Sequence, residues 1–297
     1  MSTRFILYCT LLFVLILPVT VLSTGAAPTA LLETMYFSDP GIRIEAATCL
    51  AAGLELATEA IVIVAGSERR TEAIYTSPDG SIFSDEPDEG RGLMDPRWVE
   101  WPNIVDRWFR VSVSEQGDLL ALQVSGSETP EAIELRGDLP TETPLQASVP
   151  ADASGDLILL MTQTIGTNAS VVVAPLALDD AGHAVVGPIT ETVIACDLQS
   201  SFSTVVLSDG RIRLYAAVDG KIMSWVREGG GVAFTAEAGV RIKPEDFAGL
   251  SVRSLSDPCC VHLADGRYRL YMTAQILAAD GTVSPAIVSA TTPTPVW

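Results

Sequence analysis

The chain has 297 residues, 48% of them hydrophobic, and a formal net charge of −19 from 37 acidic against 18 basic side chains. Its lysines are Lys221 and Lys243 alone, so nucleic acid and anionic membrane surfaces are excluded as partners. His183 and His262 are too far apart in sequence to form a local ligand motif, so no metal or other cofactor is expected.

Residues 1–26 read as a secretory signal. Arg4 forms a positive start, Phe5 to Leu17 is continuously apolar, and Val21-Leu22-Ser23 and Thr24-Gly25-Ala26 offer small-residue cleavage sites. The run from Phe5 to Leu22 is also about long enough to span a bilayer, which leaves an uncleaved anchor as the alternative; Pro18 and the small residues after it favour cleavage. The expected product is a secreted protein, extracellular or periplasmic and monomeric, with residues 27–297 as a single domain. Four cysteines remain after processing, Cys49, Cys196, Cys259 and Cys260. An even count in an oxidising compartment predicts disulfides, with three connectivities open.

The first predicted strand, Phe37 to Ile44, matches the later stretch Phe234 to Ile242 with one residue fewer, which sets Asp39 opposite Glu237. Strands follow at Ala60 to Ala65 and Glu72 to Thr76, and then the turn Ser77-Pro78-Asp79-Gly80-Ser81-Ile82-Phe83. A second group runs from about Ile104 to Leu139, with strands at Trp108 to Ser114, Leu119 to Val124 and Ala132 to Leu135. A third spans about Thr143 to Ala195, with strands at Leu157 to Gln163, Ser170 to Ala177 and Thr190 to Ile194.

The fourth and fifth groups carry the plainest signal. Val205 to Tyr215 (VVLSDGRIRLY) and Val261 to Tyr271 (VHLADGRYRLY) share eight positions at an offset of 56 residues. In each, an apolar strand meets Asp-Gly, the dipeptide that supplies the positive φ of a tight hairpin, and an alternating strand leaves. Fainter copies surround Gly117 and Gly155. Sustained helical periodicity is absent, Pro244 to Ala248 being one turn at most. Repeats of this length, each a small sheet, predict an all-β, five-bladed β-propeller. The last group lacks an outer strand and the N-terminus has one to spare. The N-terminal strand is therefore expected to complete the last blade beside Ile287 to Ala290 and leave no open edge at the seam.

Asp257-Pro258, Asp265-Gly266-Arg267-Tyr268-Arg269-Leu270-Tyr271 and Ser77-Pro78-Asp79-Gly80-Ser81-Ile82-Phe83 resemble the five-bladed propeller glycosidases, the arabinanase, xylosidase and fructosidase-like group; the last of them is also similar to the Asp-box turn of sialidases. The resemblance implies a central funnel lined by inner strands, and in active members two carboxylates projecting into it, one as acid and one as base or nucleophile. It also implies carbohydrate as the partner.

Asp257 lies nine residues before Gly266, and the same offset from Gly210, Gly155 and Gly117 lands on Ser201, Gln146 and Trp108. One acid in four equivalent positions favours binding over hydrolysis. The expected funnel contacts are Asp257, Ser201, Gln146, Trp108 and Asp106, with Asp257 the weak catalytic candidate and Glu191 and Asp197 as other acids near inner strands. Asp257 could instead cap a turn, and Trp108 could be core. Cys49 and either Cys259 or Cys260 are expected to bridge the seam; Cys259 and Cys260, as strand neighbours, should face opposite sides. Three functions stay open: a carbohydrate-binding propeller, an active glycoside hydrolase of the same fold, and a protein-binding or structural surface propeller.

Overall fold

The computed structural model describes residues 38–292, apart from 56–57, 67–72, 85–98, 101–107, 114–119, 125–130, 138–146, 149, 151–156, 166–167, 179–183, 190, 198–200, 208 and 228–232. In chain order the strands are β1 (Ser38–Glu45), β2 (Thr48–Glu55), β3 (Ala60–Gly66), β4 (Ala73–Ser77), β5 (Val99–Glu100), β6 (Trp108–Val113), β7 (Leu120–Val124) and β8 (Glu131–Gly137). They continue as β9 (Ala147–Ser148), β10 (Leu157–Ile165), β11 (Asn168–Leu178), β12 (Ala184–Val186), β13 (Glu191–Cys196), β14 (Phe202–Val206), β15 (Ile212–Val218), β16 (Lys221–Arg227) and β17 (Phe234–Ala236). The last three are β18 (Val252–His262), β19 (Tyr268–Leu277) and β20 (Val283–Thr291). Among the described residues the one helical element is the single 3₁₀ turn Pro244–Asp246.

The two Asp-Gly hairpins are built alike. Gly210 and Gly266 take φ of 81° and 84°, a region in which a side chain is strained. Leu207 and Leu263 donate to the carbonyls of Arg211 and Arg267, both at 2.8 Å, and the Asp209 and Asp265 carboxylates accept from the amides two residues on. The strands that follow, β15 and β19, are buried almost throughout because neighbouring sheets cover both of their faces.

β14 to β17 form a four-stranded antiparallel sheet in chain order. The last sheet has the order β1-β20-β19-β18, so the first described strand lies on the outer edge of the last sheet. Its register pairs Gly41 with Ser289 and Ile42 with Val288. β2, β3 and β4 make a three-stranded sheet.

Three apolar clusters join the sheets face to face. One holds Ile158, Val171, Phe202, Leu214 and Phe234, and a second Tyr215, Ile222, Leu255, Leu270 and Val288. The third holds Ile44, Cys49, Ile63, Phe83, Cys259 and Tyr271, and so packs the last sheet on the first. At roughly 25 cal/mol per Å² of apolar surface removed from water, these interfaces are the main stabilising term.

Two features depart from the sequence reading. β5 pairs with β6, Glu100 opposite Trp108, so Trp108 sits on the second strand of its sheet and not on the innermost one. In addition β8 and β12 pair in parallel, Ala184 with Leu135 and Val186 with Gly137, which fuses the second and third groups into one nine-stranded sheet. β11 is long enough to hold both β12 and β13 along one edge, leaving β12 free to reach β8.

Candidate functional site

β2, β14 and β18 are the first strands of their sheets, and β18 lies in contact with both of the others. Hydroxyl groups tie these neighbours together. Ser148 Oγ on β9 lies 3.1 Å from Thr204 Oγ1 on β14, the Cys260 amide donates to Ser203 Oγ at 2.9 Å, and the Cys49 amide donates to Thr273 Oγ1 at 2.9 Å.

Asp257 belongs to the same set of ties. It sits where the β18–β19 register breaks between Ser256 and Cys259, with a positive φ of 50° that few non-glycine residues adopt. The bulge turns its carboxylate across to the next sheet. Oδ1 accepts the Ser201 amide at 2.9 Å and Oδ2 accepts the Ser256 hydroxyl at 2.8 Å. Ser201 is the position 56 residues earlier, so the repeat-equivalent residues meet across the sheet boundary. A carboxylate bound this way braces one inner strand against the next.

The remaining candidates disperse. Asp197 binds the Asp219 and Gly220 amides through its two oxygens, at 2.8 and 2.9 Å, and so caps the β15–β16 turn. Glu191 is on β13, opposite Val173 of β11. Asp39 is on the outer strand β1, 3.1 Å from Arg43 and 3.8 Å from Arg269. Asp106 and Gln146 lie outside the described residues, and Trp108 is on the second strand of its sheet. Among the described residues of β2, β14 and β18 the acids are Asp257 and Glu55, and Glu55 ends its strand bound to Thr58. No group of three His, Cys, Asp or Glu among the described residues could hold a metal ion.

All four described cysteines are free thiols, so the bridge expected across the seam is not formed. Cys49 and Cys259 do face one another in the cluster between the last and first sheets, but as hydrogen-bonded thiols and not as a covalent pair. That thiol–thiol contact, followed by burial, holds the Cys49 thiol well above its ordinary range. Cys260 faces the opposite way, against the β14–β17 sheet, where burial pushes its thiol up to about 12. The alternation expected of strand neighbours holds.

Sequence reasoning missed a pair of polar networks, the first largely buried and the second open to water at Asp39. Arg213 Nε and Nη2 grip Glu237 at 2.8 and 2.9 Å, Ser224 Oγ donates to Glu237 at 2.7 Å, and Arg241 Nε donates to Ser224 Oγ at 2.5 Å. In the last sheet Arg269, Asp39, Ser289 and Arg43 repeat the arrangement, Arg43 Nε donating to Ser289 Oγ at 2.7 Å. The signal was available in Arg213 and Arg269, the repeated arginines two residues after each Asp-Gly-Arg turn, and in the match of Asp39 to Glu237.

No protein-family profile matches the chain, and no curated protein matches it in sequence. Solved structures do. A xylan β-1,4-xylosidase from Bacillus halodurans C-125 is similar at TM-score 0.53 and 10% identity over 85% of this chain and 53% of that one. A GH43 glycoside hydrolase with an engineered active site is similar at 0.51 and 11% identity, over 87% and 57%. A GH43 protein from Bacillus licheniformis is similar at 0.51 and 9% identity, over 87% and 58%. The chain spans little more than half the length of these three. The likeness defines the class of fold, a glycosidase-like β-propeller.

Proposed function

We propose that the chain is an exported, monomeric propeller of five blades, closed by β1 completing the last blade, that binds a glycan in its central funnel without hydrolysing it. Residues 1–26 are the export signal and residues 27–297 the single binding domain. The reading is carried by one observation: the Asp257 carboxylate is engaged by the Ser201 amide and the Ser256 hydroxyl. A general acid or base must reach the reacting oxygen, and its loss costs about 10²- to 10⁴-fold in rate. A carboxylate bracing two strands serves better to position Ser201 and the neighbouring backbone for sugar hydroxyls, with Gln146 before β9 as a further contact.

The test is calorimetric titration of the mature protein with arabino-, xylo- and fructo-oligosaccharides, run beside assays of sugar release and of aryl-glycoside cleavage. The expected result is saturable binding with no release above the uncatalysed background, and weaker binding in Asp257→Asn. Sugar release that Asp257→Asn abolishes would overturn the reading in favour of a hydrolase. Absence of binding to every glycan offered would remove carbohydrate as the ligand.

A further inference from the structure

Arg253 lies at the first of the two register breaks in β18, between Val252, paired with Ile276, and Ser254, paired with Gln275. Bulges of this kind re-aim a side chain and gather beside binding sites. Three sides of the strand are closed. One face packs through Cys259 and Val261 on the first sheet, the other through Leu255 and Cys260 on the β14–β17 sheet, and one edge is bonded to β19. Arg253 is nevertheless exposed, so its side chain reaches water through the open inner edge or the mouth at the strand's start.

Among the described residues the guanidinium there has no structural partner. Arg43, Arg211, Arg213, Arg241, Arg267 and Arg269 each donate to a carboxylate or a hydroxyl of the fold. Arg253 forms no hydrogen bond or ion pair with the described residues. The equivalent position one repeat earlier is Asp197, which caps the Asp219–Gly220 turn. That turn in turn meets β18, the Gly220 carbonyl accepting the Leu255 amide at 2.9 Å. The Asp197 carboxylate is thus already bound, and among the described residues nothing occupies the arginine, which leaves it to bind an anion.

The geometry points to Arg253 as the residue that selects a carboxylate-bearing sugar, a uronic acid unit within the bound glycan, by a two-point guanidinium–carboxylate contact at the funnel mouth. The assignment rests on the glycan-binding reading above and narrows it. A planar fork of donors matches the two oxygens of a carboxylate, which a lysine ammonium does not. The net charge of −19 repels polyanions over the rest of the surface, so a single local cation suits a glycan carrying an isolated carboxylate and not a densely charged one.

The experiment uses matched oligosaccharides, neutral and bearing one uronate, with the sulfate ester as a third member, titrated into the wild-type protein, Arg253→Gln and Arg253→Lys. The wild type is expected to prefer the uronate member by about tenfold over its neutral partner, from one charge-assisted hydrogen-bonded contact. Arg253→Gln should abolish the preference while leaving neutral binding unchanged, and Arg253→Lys should keep only part of it. Equal wild-type affinity for neutral and uronate members would overturn the assignment while glycan binding stands. So would a preference that survives in Arg253→Gln, or a sulfate ester bound more tightly than the uronate. Failure of every oligosaccharide to bind would overturn both the assignment and the reading on which it rests.

Discussion

Gly80→Ala is expected to destabilise the protein by about 3–5 kcal/mol, combining left-handed backbone strain, overpacking and a lost hydrogen bond. Gly80 has φ of 71° and sits in the turn after β4, where its carbonyl accepts the Tyr271 hydroxyl at 2.8 Å. A Cβ there would strike that hydroxyl and would lie 2.9 Å from both Arg269 Nη1 and Ile61 Cγ1. The neighbours cannot give way. Arg269 is fixed by the Asp79 carbonyl and Ser81 Oγ at 2.8 and 2.9 Å, and Tyr271 packs edge-on against Phe83 with ring centres 6.0 Å apart. The turn itself is braced by Asp79, which accepts the Ser81 amide at 2.8 Å. Gly281→Ala is the control, because Gly281 has a similar φ of 87° but nothing within 4 Å of its Cβ position. Its cost should be the backbone part alone, about 1–2 kcal/mol. Denaturant unfolding of the two variants decides the matter: equal losses would show that the docking of this turn on the last sheet contributes nothing.

Turn chemistry made that docking half-legible beforehand. The Ser-Pro-Asp-Gly-Ser-Ile-Phe string announces a turn from local conformational rules, and the Asp-Gly pairs of the later hairpins do the same. The turn's partner, Arg269 and Tyr271 about 190 residues away, could not be read, because both look like ordinary members of a repeated strand. The placement of the first strand was legible for a better reason. Phe37 to Ile44 matches Phe234 to Ile242, the outer segment of the preceding repeat, and the last group lacks the strand that this segment supplies.

Where the sequence misled, the signal was one that serves several structures equally. A glycine marks a turn without saying which strands the turn joins, and Gly117 falls between β6 and β7, one hairpin later than Gly210 does in its sheet. Every offset counted from Gly117 is therefore displaced by a strand, and Trp108 lies on the second strand of its sheet and not on the first. The parallel pairing of β8 with β12 joins two short strands whose residues carry no pattern specifying it. At the site, the position of Asp257 followed from the repeat, but its role depended on a bulge and on the amide of Ser201. The other register break of the same strand, between Val252 and Ser254, singles out Arg253. An even cysteine count, finally, says nothing of whether two facing thiols are joined.

Glu237→Gln should cost about 2–4 kcal/mol, toward the lower part of the range for breaking a buried ion pair because the carboxylate keeps some contact with water. The substitution keeps the shape but leaves the Arg213 and Arg241 guanidiniums, with side chains 7% and 3% exposed, without their counter-charge. Burial pushes the Glu237 carboxyl up, yet Arg213, the Ser224 hydroxyl and Arg241 together hold it below the ordinary glutamate range. A carboxyl depressed on folding contributes stability that is fully present above its unfolded value, about pH 4.3 for glutamate, and that is lost as pH falls through the folded value. The wild type should therefore lead the variant by a constant margin near neutral pH, and the margin should shrink as the solution is acidified below about pH 4.3. Unfolding free energies measured from pH 7 down to pH 2 would show the two curves converging. A margin independent of pH would mean that the charge of Glu237 contributes nothing and that its hydrogen bonds alone hold the outer strand. A companion measurement separates pair from packing. Arg213→Met combined with Glu237→Met removes both charges, so the double variant should recover part of the loss of the single ones, with a coupling of about 0.5–3 kcal/mol in the cycle.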